Sequence, residues 1–444
     1  MLSFILFSLF LHTSLCEDKK PNFVIILTDD QDVTLGGMTP MKNVQRFIAN
    51  EGTTFAKSYV TSPICCPSRA SFLTGLHVHN HMTWNNSLHG GCYGRYWKRL
   101  EERTFASTLR GAGYNTFYAG KYLNKYGTKD AGGPELVPPG WSEWHGLVGN
   151  SVYYNYTISN NGVPTHSTDL YLTDVIDKHW LLSMPPSPLP ETMLPELDRV
   201  YRSRWQSLLS VDEMVADVVE TLDNNDLLDN TYLIFTSDNG YHIGQFSQVY
   251  DKRQPYEADI KVPLVIRGPN IAKNLTDNQP ILNIDLAPTI IEMAGLKPPR
   301  SMDGKPIQFN VIKDVERNML VEYYGEGRDG TVDPECPWAY DKDNLAQCYP
   351  QYDCKCQDAK NNTYACLRHI ASRINIKYCA FADEQNFKEM YDLNSDPYEL
   401  RNIVHEVLPA VRHWYQLTLT HMLTCKGADN CDNPLENPKI LSIF

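Results

Sequence analysis

The sequence predicts an α/β sandwich with a large central sheet flanked by helices, followed by a smaller α+β subdomain rich in disulfides. Two observations predict the sandwich: apolar runs that end abruptly in acidic and amide residues, and a long amphipathic helical pattern lying between them. The subdomain is predicted by a crowding of cysteines, short strand-like runs and turns after about residue 311. A chain of 444 residues, 42% hydrophobic and 21% charged, is long enough for both units and has the composition of a globular protein.

In chain order, Met1 to Cys16 is apolar and uncharged, and Glu17-Asp18-Lys19-Lys20 follows. That run is too short to span a bilayer and reads as a signal-peptide core over residues 1–16. No later stretch is long and apolar enough for a transmembrane anchor, and the large domain is expected over residues 19–310. Asn22 to Thr28 reads as a buried strand ending in Asp29-Asp30, and open α/β sheets place their sites at such carboxyl ends. Asn115 to Ala119 and Val262 to Ile266 are further strand candidates. Met184 to Pro195 carries five prolines and reads as a loop. Trp205 to Leu222 is a helical pattern, with Leu208, Leu209, Val211, Val215, Val218 and Val219 as its apolar positions. Thr231 to Thr236 repeats the strand pattern and ends in Ser237-Asp238-Asn239-Gly240. The subdomain is expected over 311–444, closing with a helix near Leu408 to Leu423.

A formal net charge of −13 excludes broad nucleic-acid binding. It also requires that cations serving a small anionic substrate be gathered at one site. There are twelve cysteines, and setting aside Cys16 and Cys65 leaves ten, an even number. Cys336, Cys348, Cys354, Cys356, Cys366 and Cys379 crowd together, and Cys425 and Cys431 follow. Neither cluster has the paired spacing of a zinc ribbon, so disulfides and an oxidising compartment are expected. Sequons at Asn85, Asn155, Asn274 and Asn361 point to glycosylation in the same secretory route. His77, His79 and His81 alternate and would share one face of a strand. No fourth zinc ligand accompanies them, so they read as the loop after the next feature.

That feature is Cys65-Cys66-Pro67-Ser68-Arg69-Ala70-Ser71-Phe72-Leu73-Thr74-Gly75. Pro67 suits the first turn of a helix and Gly75 its cap, which puts Cys65 at the amino end, where an anion is favoured. Arg69, one turn on, can face the same site. On spacing alone, two structural cysteines before a short helix explain the string about as well. Cys-x-Pro-Ser-Arg followed by Leu-Thr-Gly, however, resembles the signature of the sulfatase family.

The resemblance implies an alkaline-phosphatase-like sandwich with a mixed central sheet. It implies that Cys65 is converted by the formylglycine-generating enzyme to formylglycine (3-oxoalanine), which acts as its hydrated diol. It implies one calcium ion held by Asp29, Asp30, Asp238 and Asn239 with the modified Cys65, a hard oxygen set of the kind calcium takes. Lys121, in Ala-Gly-Lys-Tyr, and Lys252, in Tyr-Asp-Lys-Arg-Gln, match the family's sulfate-contacting lysines. His242, just after the second acidic motif, is placed to touch substrate or leaving group. The diol oxygen would displace the alcohol from sulfur, and the second hydroxyl would release sulfate, splitting one hard step into two.

Leu123 and Asn124, where many sulfatases have a histidine two positions after the lysine, resemble the subgroup acting on glucosamine 6-sulfate. So do Lys252 to Glu257, Val321 to Arg328 and Asn361 to Cys366. The implied activity is hydrolysis of the 6-sulfate of N-acetylglucosamine in heparan or keratan sulfate, in the lysosome. The extracellular heparan endosulfatases share the amino-terminal motifs but carry a long basic insertion that this chain lacks. Relatives also have more chain where Asp177 here runs straight into Lys178-His179, including a strand and a histidine-bearing loop. That difference leaves a second expectation, a weakly active or glycan-binding relative. A phosphatase or phosphodiesterase of the same superfamily, with a Ser or Thr nucleophile and two zinc ions, lacks the Cys-x-Pro-Ser-Arg pattern.

Overall fold

The computed structural model describes residues 20–150, 155–167, 194–248, 250–310, 315–332, 344–347 and 355–432. The signal segment 1–16, most of the proline-rich loop, the Asp177–Lys178 junction, Cys336, Cys348, Cys354 and the side chain of Cys356 lie outside the described residues.

The strands are β1 (Asn22–Thr28), β2 (Thr53–Tyr59), β3 (Phe117–Lys121), β4 (Glu143–Leu147), β5 (Tyr156–Asn160), β6 (Val163–Ser167), β7 (Thr231–Ser237), β8 (His242–Ile243) and β9 (Tyr250–Asp251). They continue with β10 (Leu264–Arg267), β11 (Leu275–Leu282), β12 (Arg317–Tyr323), β13 (Ala346–Gln347), β14 (Lys355–Gln357), β15 (Tyr364–Ile370), β16 (Asn375–Phe381) and β17 (Lys388–Asp392). A mixed sheet runs in the order β1-β7-β10-β2-β11, with β1 parallel to β7 and β2 parallel to β11.

Alternation along the strands makes this sheet the middle of a sandwich. Ile234, Leu264 and Ile266 face a core built with Ala70, Phe72 and Leu73 and with Leu286, Ile290 and Ile291 of the Leu286–Met293 helix. Their neighbours Leu233, Phe235 and Val265 face the opposite core, with Val44, Ile48, Leu208, Val215 and Val219. Period-2 strands meeting period-3.6 helices on both faces is the layer architecture expected.

Three sequence expectations shift. The helix expected from Trp205 is already helical at Leu194, the first described residue of that stretch, and runs to Asn224, so Leu194 and Pro195 are helical. The strand expected over 115–119 is β3, two residues later, and it belongs to a separate four-stranded sheet, β3-β4-β5-β6. The apolar β1 lies at an edge, and Phe23 to Leu27 are only half-buried.

These last two shifts are related. The amino ends of β1 and β3 are tied by Lys20 Nζ donating to Ala112 O (2.7 Å) and by Phe23 against Tyr114 (ring centroids 6.0 Å). Their carboxyl ends are tied by Lys121 to Asp29 (2.8 Å). The two strands thus run in the same direction, linked at both ends, yet each forms an edge of its own sheet among the described residues.

The carboxyl-terminal part is an antiparallel sheet, β12-β15-β16-β17. One face packs Met319, Val321 and Tyr323 against Tyr59, Val60 and Ile260 of the larger part. Its other face covers Leu320 and Leu367 with the Pro409–Met422 helix, where the sequence places a closing helix. Disulfides join Cys66 to Cys92, Cys366 to Cys379 and Cys425 to Cys431.

Candidate active site

The acidic strand ends meet because of β-sheet register. In the parallel pair, Thr28 lies opposite Ser237. One and two residues further on, Asp29 comes beside Asp238 and Asp30 beside Asn239. Asp30 N donates to Asp238 Oδ1 at 3.0 Å, and Asn239 Nδ2 donates to Asp30 Oδ1 at 2.6 Å. Asp30 takes a left-handed backbone (φ 60°), and Arg204 of the long helix holds its carbonyl at 2.5 Å.

The helix Cys65–Thr74 delivers Cys65 to these carboxylates. Gly75 at φ 67° caps it, and its N–H donates to Ser71 O at 2.8 Å. The helix is locked in place by Asn283 Nδ2 donating to Ser68 Oγ (2.9 Å) and by Ser68 Oγ on the Asp238 carbonyl. The helix places Arg69 between the carboxylates: Nε reaches Asp238 Oδ2 at 2.8 Å and Nη2 lies 3.7 Å from Asp29 Oδ1. Arg69 also donates to Lys121 O (2.7 Å), fixing the end of β3. Lys252, just past β9, bridges Cys65 Sγ (3.0 Å) and Asp30. Cys65 Sγ is itself 3.5 Å from Asp29 Oδ1. The structure therefore brings Cys65, Arg69, Lys121, Lys252, Asp29, Asp30, Asp238 and Asn239 into one buried cluster.

Its electrostatics are those of interleaved opposite charges. Burial opposes ionisation of Asp29, but Lys121, Arg69 and Lys252 hold its carboxyl well below the usual carboxylate range. Asp238 is pushed up to about 6 by burial and by the charge of Asp29. Burial disfavours charge on Lys252 and Lys121, yet Asp30 and Asp29 keep both ammonium groups protonated with raised values. The Cys65 thiol is pushed up to about 11 by burial and by Asp29, so as a plain thiol it is no ready nucleophile.

The donor set fits a hard cation. Carboxylate oxygens of Asp29 and Asp30 and the Cys65 side chain lie within 4.8 Å of one another. Asn239 is fully buried, and its Oδ1 has no hydrogen-bond partner among the described residues. An orphaned amide oxygen beside three carboxylates is what an oxygen-coordinated divalent ion would satisfy. Among the described residues the other such grouping is His77 with Cys425 and Cys431, whose sulfurs are joined in a disulfide. Nor do the alternating histidines share a strand face: His77 caps the turn Val78–His81, His81 meets Ser71 (2.9 Å), and His79 meets Glu322 (3.0 Å).

His242 stands beside the cluster on β8, with its Nδ1 on both oxygens of Asp259 (2.9 and 3.0 Å). Sequence reasoning misses Asp259, whose only signal is a carboxylate within the apolar run Ala258-Asp259-Ile260. Asn86 is a second such residue, its Oδ1 accepting from the Cys66 N–H at 2.9 Å. At the sequons, Asn155 and Asn274 are exposed and Asn361 is half-buried. Asn85 is fully buried, its Oδ1 holds Ser87 N (2.9 Å), and its Nδ2 is enclosed, so a glycan there conflicts with the packing.

The sulfatase family model matches residues 21–296. The chain belongs to the sulfatase family. This sulfatase is 42% identical to the N-acetylglucosamine-6-sulfatase of Capra hircus over an alignment of 484 residues, covering 94% of the chain and 85% of the relative. It is 41% identical to that of Homo sapiens, covering 94% and 86%. Both alignments are longer than the 444-residue chain, so these relatives carry residues that it lacks. A solved structure in complex with its substrate D-glucosamine-2-N,6-O-disulfate shares the fold at a TM-score of 0.68 and 20% identity, covering 91% of this chain and 97% of that one. The sandwich is thus the alkaline-phosphatase-like fold, and this sulfatase is a sulfuric ester hydrolase.

Proposed function

We propose that this sulfatase removes the 6-sulfate of N-acetylglucosamine units in heparan or keratan sulfate. Cys65 would carry formylglycine, and one calcium ion would be held by Asp29, Asp30, Asp238, Asn239 and the modified side chain. One observation carries the reading. In a chain of net charge −13, Lys252 contacts the buried Cys65 sulfur directly, and Arg69 and Lys121 both pair with Asp29, which lies 3.5 Å from that same sulfur. As a hydrated aldehyde the modified residue would supply one hydroxyl for attack on sulfur and a second for release of sulfate. When bound, calcium would neutralise the carboxylates and polarise the ester oxygens.

The remaining work belongs to the chain's own residues. Arg69, held by Asp238 and Asp29, presents fixed positive charge beside the nucleophile without reorganising. Lys121 ends β3 and Lys252 follows β9, and both can shift from Asp29 and Asp30 onto the oxygens of an entering sulfate. Asp259 occupies Nδ1 of His242, which leaves Nε2 as the ring atom that can exchange a proton with the departing alcohol. The formylglycine-generating enzyme would be a partner during synthesis, and the lysosome the destination.

Two measurements test this reading. Mass spectrometry of the Cys65 peptide should give the mass of the aldehyde, and sulfate should be released from N-acetylglucosamine 6-sulfate in a calcium-dependent way. An unmodified thiol in material from a cell that makes formylglycine would overturn it. A second reading, a weakly active or glycan-binding relative, is favoured by the surplus length of both alignments and by the unjoined edges of β1 and β3. Unaltered glycan retained on the protein, with the aldehyde present and no turnover, would select it.

A further inference from the structure

Two loops meet beside the Cys65 helix, and each is anchored to a residue adjoining the reacting groups. On the first, Asn86 accepts from the N–H of Cys66, and the Cys66–Cys92 disulfide ties the far end to the same helix. On the second, Glu326 accepts from Arg253 Nε at 2.8 Å, and Arg253 follows Lys252 directly. Ser87 Oγ donates to Thr331 O at 3.0 Å and clips the loops together. Trp84 from one and Tyr324 from the other face each other, ring centroids 6.3 Å apart. The guanidinium of Arg328 lies over both rings, 5.9 Å from Trp84 and 5.1 Å from Tyr324. Trp84, Tyr324 and Arg328 are all half-buried.

The bland explanation is an arginine packed on aromatics for stability. Two observations weigh against it. Every buried cation of the adjoining site has a carboxylate partner, whereas Arg328 makes no ion pair with any described residue. The Tyr324 ring is also fixed from behind, its hydroxyl donating to the buried Glu322 at 2.9 Å, so the platform is rigid without Arg328. A planar cation with open donors beside an indole face suits a sugar that carries a carboxylate. The ring C–H face would rest on Trp84 while the acid takes the guanidinium fork.

We propose that Trp84, Tyr324 and Arg328 bind an anionic sugar residue, a hexuronate, next to the sulfated glucosamine. This rests on the reading of the Cys65 site as a glucosamine 6-sulfatase, and makes it selective for chains in which the neighbouring residue is acidic rather than neutral.

The test compares three substrates: N-acetylglucosamine 6-sulfate, the same sugar linked to glucuronate, and the same sugar linked to galactose. In the wild type, kcat/KM should be higher for the glucuronate disaccharide than for the galactose one. In Arg328→Gln, the ratio of the glucuronate disaccharide to the monosaccharide should fall about tenfold, chiefly through KM. In Trp84→Ala, both disaccharides should lose ground to the monosaccharide. A uniform loss on all three substrates in Arg328→Gln, or no change in the ratio, would overturn the proposal. Should the wild type turn over none of them, the sulfatase reading fails by itself. Equilibrium binding of the glucuronate disaccharide, followed by NMR, then decides. Binding about tenfold weaker to Arg328→Gln upholds the subsite, and equal binding removes it.

Discussion

Asn239 is the residue whose geometry asks most directly for a ligand. Its Nδ2 donates to Asp30 and to the Gly240 carbonyl, and its buried Oδ1 is left unmatched. Calcium should therefore raise the melting temperature, because an ion that binds only the folded state stabilises it by ~2.7 kcal/mol at a hundred times its Kd. Asn239→Ala should lose most of that calcium-dependent gain in a thermal melt; a full gain in the variant would put the ion elsewhere. His242 and Asp259 make a second test at this scale. If Asp259 acts only by holding Nδ1, then Asp259→Asn and His242→Ala should each lower kcat roughly a hundredfold. The double variant should be little worse than either single one, since residues acting as a unit are not additive. Additive losses would separate the two. The His242–Asp259 contact links positions seventeen residues apart through tertiary packing, so no spacing in the sequence announces it.

The Cys65–Thr74 helix is the element most fully readable from the chain alone. Pro67 in the first turn and Gly75 at the cap are local signals, and local signals survive folding. Gly75 should matter energetically: at φ 67° an added Cβ meets Met302 Sδ at 3.2 Å and the Ile284 carbonyl at 3.3 Å. Gly75→Ala should cost about 1–2 kcal/mol of unfolding free energy, read as a shift in the urea midpoint with unchanged slope. The acidic strand ends are readable for the same reason, because parallel neighbours finish together at one edge of a sheet. Sheet membership is not. Nothing local in Phe117 to Lys121 says that it pairs with β4 rather than joining β1, and nothing local in Asn22 to Thr28 says that it will lie at an edge. The burial of Asn85 is equally hidden, since it depends on Gly90 folding back against it.

At the scale of the whole molecule, two buried acids outside the charged cluster contribute to the pH dependence. Glu101, between Trp97 and Tyr122, and Glu389, beside Lys377 and Tyr391, are each pushed up to about 7, chiefly by burial. A carboxyl raised in the folded state binds its proton there while the unfolded chain, with a value of about 4.3, has released it. Folding stability is then fully present below that unfolded value and is lost as pH rises towards and through 7, by at most roughly 1.4 kcal/mol per pH unit for each group. Glu101→Gln should remove its share of that loss, so that between pH 5 and pH 7.5 the variant's urea midpoint falls less, or rises more, than the wild type's; a pH difference identical to the wild type's would contradict this. The unjoined sheets make the larger claim. β1 and β3 run in the same direction and are tied at both ends, and their facing edges carry backbone groups that no described strand pairs. Backbone left unpaired among the described residues, beside half-buried Val24 to Leu27, is costly, and one further strand would answer both deficits. The alignments with the Capra hircus and Homo sapiens relatives run to 484 and 485 residues, so both carry residues that this chain lacks, and a strand among them would answer these edges. If that surplus falls at the Asp177–Lys178 junction, as the sequence leads one to expect, inserting it there should raise the melting temperature by several degrees and abolish binding of a dye that reports exposed apolar surface. It should also raise turnover on N-acetylglucosamine 6-sulfate. If the insertion leaves stability and turnover unchanged, the edges of β1 and β3 are complete as they stand, and the shorter chain is a finished sulfatase.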